Sequence, residues 1–277
     1  MTILDMDKAK KLEIEILDEI DKICKKYNLR YSLGYGTLLG AIRHNGFIPW
    51  DDDIDIIMPR PDYEKFVKIF NNESTKMELI CYETNPNYLD LAAKVYHSET
   101  HIYDENIRVT NDDAKIGLFV DVFPIDGLGE TKKDACNMYA KSEIKRNILI
   151  ASTWKKFFFS KTRSWVYEPI RFVFFSLSRI LSTKNLVFRI LAICKSKEFD
   201  NTKYVGVVCS PYKKKDIFDR DIFSNFISIE FENKQYSSIE KYDDYLKQIY
   251  GDYMKLPPIE NRVTHHTFKA FYKGEEE

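Results

Sequence analysis

The chain has 277 residues, 44% of them hydrophobic and 31% charged, with a formal net charge of −1. That length buries a substantial core, and the balance is ordinary for a water-soluble enzyme. No run reaches 18 uncharged apolar residues, which excludes a membrane span. The opening MTILDMDKAKK lacks the apolar stretch of a secretory signal, so a cytoplasmic enzyme is expected. The five cysteines, at 24, 81, 136, 194 and 209, have no paired spacing and read as reduced thiols rather than a zinc site or a disulfide framework.

Residues 7–27 place Leu12, Ile16, Ile20, Ile23 and Tyr27 near helical spacing and predict an amphipathic helix that covers a sheet and ends at Asn28. Tyr31 to Leu33 follow as a first strand, and Leu38 to Arg43 as a short helix. Gly34, Gly36 and Gly40 bracket Thr37 at its opening, where free backbone N–H groups and a positive dipole end suit a phosphate. Glycines alone would equally allow a plain turn with positive φ. Arg43 could add a fork of donors to the same phosphates.

Four aspartates then stand in five residues, at 51, 52, 53 and 55. Asp53 and Asp55 alternate with Ile54 and Ile56, the period of a half-buried strand, so both side chains are expected on one face. Two strand residues rise roughly 6.6 to 6.8 Å, close enough for the carboxylates to share one cation or a cation pair. Asp51 falls on the same face, while Asp52 should point away. An EF-hand loop fails, because Ile56 stands where the turn glycine belongs and Asp62 where a bidentate Glu belongs. An acidic strand edge kept for solubility would not alternate with isoleucines beside a Pro-Trp pair. All-oxygen ligands point to Mg²⁺, since a buried carboxylate pair without a cation takes up a proton.

Pro59 and Pro61 stop the strand, and Asp62 should cap a helix through Phe70. Leu91 to Tyr96 alternates as a strand carrying Lys94, which either points at phosphate or is solvated. Asp126 before Gly127 fits a turn. Residues 141–195 hold 12 Lys and Arg against Glu143 and Glu168, a local excess of +10, with aromatics interleaved in Trp154-Lys-Lys-Phe-Phe-Phe159 and Arg171-Phe-Val-Phe-Phe175. This composition suits a helix lying on an anionic membrane surface, or a helical unit with its Phe side chains inward and a basic exterior. No nucleic-acid module accompanies the charge.

Gly36-Thr-Leu-Leu-Gly-Ala-Ile-Arg-His44, Gly46-Phe-Ile-Pro-Trp-Asp-Asp-Asp-Ile-Asp55 and Asp62-Tyr-Glu-Lys-Phe66 resemble the LicD family of phosphotransferases, which includes bacterial phosphocholine transferases and fukutin-related proteins. The resemblance continues through Phe119-Val-Asp-Val-Phe-Pro-Ile-Asp-Gly127 and returns at Tyr250-Gly-Asp-Tyr-Met254, Leu256-Pro-Pro258, Arg262 and His265-His266.

It implies an α+β, nucleotidyltransferase-like fold, a mixed β-sheet flanked by helices. Residues 1–130 would form the catalytic core, 131–200 an added basic and aromatic helical segment, and 201–277 a part completing the catalytic domain. The Asp-x-Asp strand would be joined by a third carboxylate, for which Asp121 is the candidate, an isolated acid in an apolar strand-like run. Asp53, Asp55 and Asp121 would then be catalytic residues holding Mg²⁺, or Mn²⁺ in its place. Gly36, Thr37, Arg43, Trp50, Asp51, Lys94, Tyr253, His265 and His266 would form the substrate site.

The implied reaction is attack by a glycan or lipid-linked glycan hydroxyl on a CDP-activated alcohol, with CMP leaving. Asp121 or the metal would take the acceptor's proton. CDP-choline is the expected donor, and Trp50, Tyr35 or Tyr253 would face its quaternary ammonium. CDP-glycerol and CDP-ribitol remain alternatives, as does a catalytically silent nucleotide-binding module that recruits partners. The expected location is the cytoplasm, with peripheral contact at the inner face of the plasma membrane and no nucleic-acid partner.

Overall fold

In the computed structural model, residues 3–112, 114–160, 164–262, 264 and 268–273 are described. The first helix, α1 (Met6–Tyr27), opens with the Asp5 side chain accepting from the Lys8 N–H and ends at Asn28 in the left-handed region. Its apolar stripe, with Ile16, Leu17 and Ile20 fully buried, lies in the main core. One strand and one helix follow: β1 (Ser32–Leu33) and α2 (Tyr35–His44). The helix starts three residues earlier than predicted because Gly34 is its N-cap.

The central sheet contains β1, β2 (Asp55–Pro59), β3 (Met77–Ile80), β4 (Ala93–His97) and β6 (Phe119–Gly129) in the order β1-β2-β6-β4-β3. β5 (Thr100–Tyr103) lies outside it. The far half of β6 adds β7 (Tyr204–Gly206), which in turn pairs with β8 (Phe218–Asp219). Among the described residues only β2 and β6 run parallel; the other pairings of the sheet are antiparallel, so it is mixed, as expected. β6 is flanked on both sides and carries an almost continuously buried run.

Helix α3 (Arg60–Glu73) begins directly after β2, with Pro59 at the N-cap. Asp62 is therefore not the cap. It lies in the first turn, where the helix dipole favours an acid, and accepts from Arg30 Nε at 2.7 Å. Asp126 is not a turn residue either: it sits inside β6, buried, 2.6 Å from Arg60 Nε. A buried acid needs such a partner, and Arg60 supplies it from the start of α3.

The basic stretch forms α4 (Lys132–Thr153), α5 (Glu168–Ile180) and α6 (Thr183–Cys194). Helices α4 and α6 share a core with Leu91, Leu128 and Val208. A hairpin of β9 (Phe226–Phe231) and β10 (Lys234–Ile239) is tied to β1 by the Ile239 N–H donating to Ser32 Oγ at 3.0 Å. α7 (Tyr242–Tyr250) follows, and β11 (Lys269–Tyr272) returns to pair with β5. Among the described residues all five cysteines are free thiols, and no helix is long and apolar enough to cross a membrane.

Candidate active site

Parallel pairing of β2 with β6 places Asp55 directly opposite Asp121, and antiparallel pairing of β4 places Lys94 opposite Asp121 on the other side. Two acids and one cation thus form a row across the middle of the sheet. The opening of α2 is locked to this row at two points: Thr37 Oγ1 accepts from the Asp55 N–H at 2.8 Å, and the Gly34 N–H donates to the Asp55 carbonyl at 2.8 Å. Thr37 thereby positions the strand through its side chain.

A Cβ at Gly36 would lie 2.6 Å from Asp51 Oδ2, so glycine is what allows that carboxylate to approach the helix start. Tyr35, just before it, has φ of 41°, strained for a bulky side chain. Its ring stacks on Tyr212 at 5.4 Å and its hydroxyl donates to the buried Asp216 carboxylate at 3.2 Å. Those contacts hold the strained turn and bind Tyr35 into the core.

The carboxylates converge differently from the alternating pattern. β2 begins only at Asp55, and residues 51–54 are irregular. One oxygen each from Asp51, Asp52 and Asp53 lies within 4.8 Å of the others. Asp52 thus turns toward its neighbours rather than away, because period-two alternation holds only where the backbone is a strand. Burial raises the Asp55 carboxyl well above its ordinary range, and the charges of Asp53, Asp121 and Asp51 push the same way.

Sequence reasoning missed Glu13 of α1. It is 2% exposed, and its Oε2 has no hydrogen-bond partner among the described residues. Burial, followed by the charges of Asp53 and Asp52, raises its carboxyl well above the normal value. The signal was available: Glu13 stands on the apolar stripe of α1, three and four residues before Ile16 and Leu17. The acids gathered here offer carboxylate oxygens, and one buried oxygen has no hydrogen-bond partner among the described residues. This donor set fits a hard divalent cation such as Mg²⁺ or Mn²⁺.

Lys94 is not solvated. It is buried, with Nζ 2.5 Å from Asp121 Oδ1, 4.0 Å from Asp90 Oδ2 and 3.8 Å above the Phe119 ring. Burial opposes its charge, but Asp121 and Asp90 outweigh that and keep its pKa above the ordinary value. Lys94 and Phe119 also line a cavity of about 530 Å³ whose walls include Leu89, Ile102, Val109 and Arg108.

Of the other candidates, Arg43 donates from Nη1 to the Tyr253 carbonyl at 2.7 Å, tying α2 to the C-terminal part. The Tyr253 ring is buried and its hydroxyl donates to Asp243 Oδ1 at 2.8 Å. Trp50 is half-buried, with the Arg262 guanidinium 5.2 Å over its ring and His44 at its edge. His265 and His266 lie outside the described residues.

Residues 28–159 match the family model described as LicD/FKTN/FKRP, nucleotidyltransferase domain. Over 268 residues the chain is 34% identical to the lipopolysaccharide cholinephosphotransferase LicD of Haemophilus influenzae, spanning 93% of this chain and 94% of that protein. An uncharacterized protein of Rickettsia typhi is 28% identical over 88 residues, 32% of this chain and 24% of its own length. The match to LicD runs over nearly the whole of both chains, and the family model takes in Asp51, Asp52, Asp53, Asp55, Lys94 and Asp121. The chain therefore belongs to the LicD family and is a phosphotransferase with a nucleotidyltransferase-like fold.

Proposed function

We propose that this enzyme transfers phosphocholine from CDP-choline to a hydroxyl of a cell-surface glycan or its lipid-linked precursor. The observation that carries the reading is the 34% identity, over 93% of this chain, with a lipopolysaccharide cholinephosphotransferase, together with the acids at Asp51, Asp52, Asp53, Asp55 and Asp121. Work in the cytoplasm, at the inner face of the plasma membrane, belongs to the same reading.

Asp53, Asp55 and Asp121 are assigned as holders of Mg²⁺, with Asp51 and Asp52 clustered beside Asp53 and Glu13 within reach of their charge. The cation, when bound, supplies charge stabilisation for the pyrophosphate oxygens. The acceptor oxygen forms a bond to the phosphorus that carries choline. The bond from that phosphorus to the bridging oxygen breaks, and CMP leaves with its electron pair. The acceptor's proton passes to the carboxylate of Asp121, which Lys94 holds in place. The first turn of α2, opened by Gly36 and Thr37, presents backbone N–H groups to the nucleotide phosphates.

The test is turnover of CDP-choline, CDP-glycerol, CDP-ribitol and CTP by the purified protein with Mg²⁺ and a dephosphorylated lipopolysaccharide acceptor, read as CMP or pyrophosphate. CMP from CDP-choline alone, lost on chelation and in Asp53→Ala, is the expected result. CMP from CDP-glycerol or CDP-ribitol instead would replace the head group, and pyrophosphate from CTP would replace the reaction class.

A further inference from the structure

Helix α5 is amphipathic in the reverse sense for a helix on a water-facing surface. The residues it buries are Glu168, Arg171 and Ser178. Arg171 Nη1 sits 2.6 Å from Glu168 Oε2, donates to the Phe158 carbonyl, and is covered by the Trp154 and Phe158 rings. Its outward residues include Ile170 at 52% exposure, Phe172 at 54%, Val173 at 51% and Ile180 at 81%. Val166, Ile170, Val173, Leu177 and Ile180 recur at intervals of three and four, a stripe along one side. Trp165 at its N-terminal end is 80% exposed, and Phe159 and Phe188 are similarly open. Single exposed apolar residues need no explanation, but a continuous stripe with aromatic ends does.

The surrounding charge identifies what covers it. From residue 144 to residue 197 the chain contains one acid, Glu168, and it is buried against Arg171. The same stretch carries 12 Lys and Arg, and Lys155, Lys156, Arg179, Lys184 and Arg189 are exposed. A second copy docked by two-fold symmetry would bring like charges together around the apolar stripe. A surface with hydrocarbon below a layer of negative head groups matches both features.

We propose that α5, with the Trp165 turn before it and α6 beside it, seats this protein on an anionic lipid bilayer, with the apolar stripe entering the acyl boundary and the cationic rim on the head groups. The seat does not depend on which head group the enzyme transfers. Ile150, Thr153 and Lys155 of the same stretch line the 530 Å³ cavity that reaches Lys94, so the seat brings that cavity to the lipid surface. Only this last step rests on the proposed acceptor, a glycan carried by lipid.

The test is co-sedimentation of the full chain with vesicles of phosphatidylglycerol and phosphatidylcholine in equal parts, and with phosphatidylcholine alone. We expect binding to the mixed vesicles that weakens with salt. The combined I170E/V173E/I180E variant and the K184E/R189E variant should each lose it at least tenfold, with the circular-dichroism melt and CMP release from soluble substrates unchanged. Trp165→Ser, a surface change that leaves the packing of α5 alone, gives a second readout should the triple variant unfold, with a several-fold loss expected. Absence of vesicle binding, equal binding by the variants, or a dimer in sedimentation that the triple variant disperses would each overturn the proposal.

Discussion

Around Asp55 the chain gathers carboxylates whose burial and mutual repulsion oppose ionisation, whereas along α5 it buries polar groups and turns hydrocarbon to the outside. The first region lies at the centre of a seven-stranded sheet, where strand register sets Asp55 opposite Asp121 and the irregular stretch before β2 brings Asp51, Asp52 and Asp53 together. The second stands on helices outside that sheet. Each arrangement departs from the usual rule of buried hydrocarbon and solvated charge, and each fits a partner from outside the chain. The type of departure names the missing partner: converging carboxylates for a cation, and exposed hydrocarbon within a cationic rim for an anionic lipid face.

The largest effect should come from removing the acid at the centre of the first region. Asp55→Asn is expected to lower CMP release by roughly three orders of magnitude or more, about 4 kcal/mol of transition-state stabilisation. In the same variant the metal-free protein should melt at a higher temperature, because the repulsion from Asp53, Asp121 and Asp51 is relieved. An active Asp55→Asn enzyme, or one less stable without metal, would make Asp55 a structural residue.

Lys94 is a cation that the chain itself brings to the acidic row, and its removal tests how much the Asp121 side depends on it. Lys94 is 7% and Asp121 9% exposed, so Lys94→Met takes a hydrogen-bonded cation away from a buried carboxylate and should cost about 3 to 5 kcal/mol by urea denaturation. Lys213→Met, which breaks an exposed pair with Glu143, should cost about 1 kcal/mol or less. Equal losses would remove the distinction between the buried row and the surface.

Much of this was legible in the sequence because its cause is local. The stripe of α1, the glycine and threonine turn and the acidic run are each specified within about twenty residues. What could not be read depended on partners far along the chain. Asp126 looked like a turn residue until Arg60, 66 positions away, proved to be its counter-ion. Lys94 was ambiguous because only the register of β4 on β6 decides whether it meets Asp121. Asp52 was misplaced by extending strand periodicity three residues before the strand begins, and whether the Phe residues near 158 and 172 face in or out required the packing of α5.

Glu13 sharpens the reading of the acidic region, since its orphaned Oε2 would be a weak point without a cation nearby. Glu13→Gln keeps the shape and removes the charge. We expect its Mg²⁺ affinity, measured by calorimetry and by the rise in melting temperature on adding the metal, to fall about tenfold, in the lower range for residues that support metal ligands. An unchanged metal response would confine Glu13 to a protonated core role.

The smallest effect concerns Asp216, which anchors the strained Tyr35 turn from behind. Burial pushes its carboxyl up from 3.8 to about 7, although the Tyr35 hydroxyl pulls the other way. A folded-state value above the unfolded one means that this group's contribution to stability is fully present below pH 3.8 and is lost as pH rises through about 7. Between pH 6 and pH 8 the wild-type protein should therefore lose about 1 kcal/mol that Asp216→Asn does not lose, read as the difference between their denaturation curves. Parallel pH profiles would mean that Asp216 stays ionised in the fold. The hold on Tyr35, and through it on the helix start beside Asp51, would then be an ionic hydrogen bond rather than one to a neutral acid.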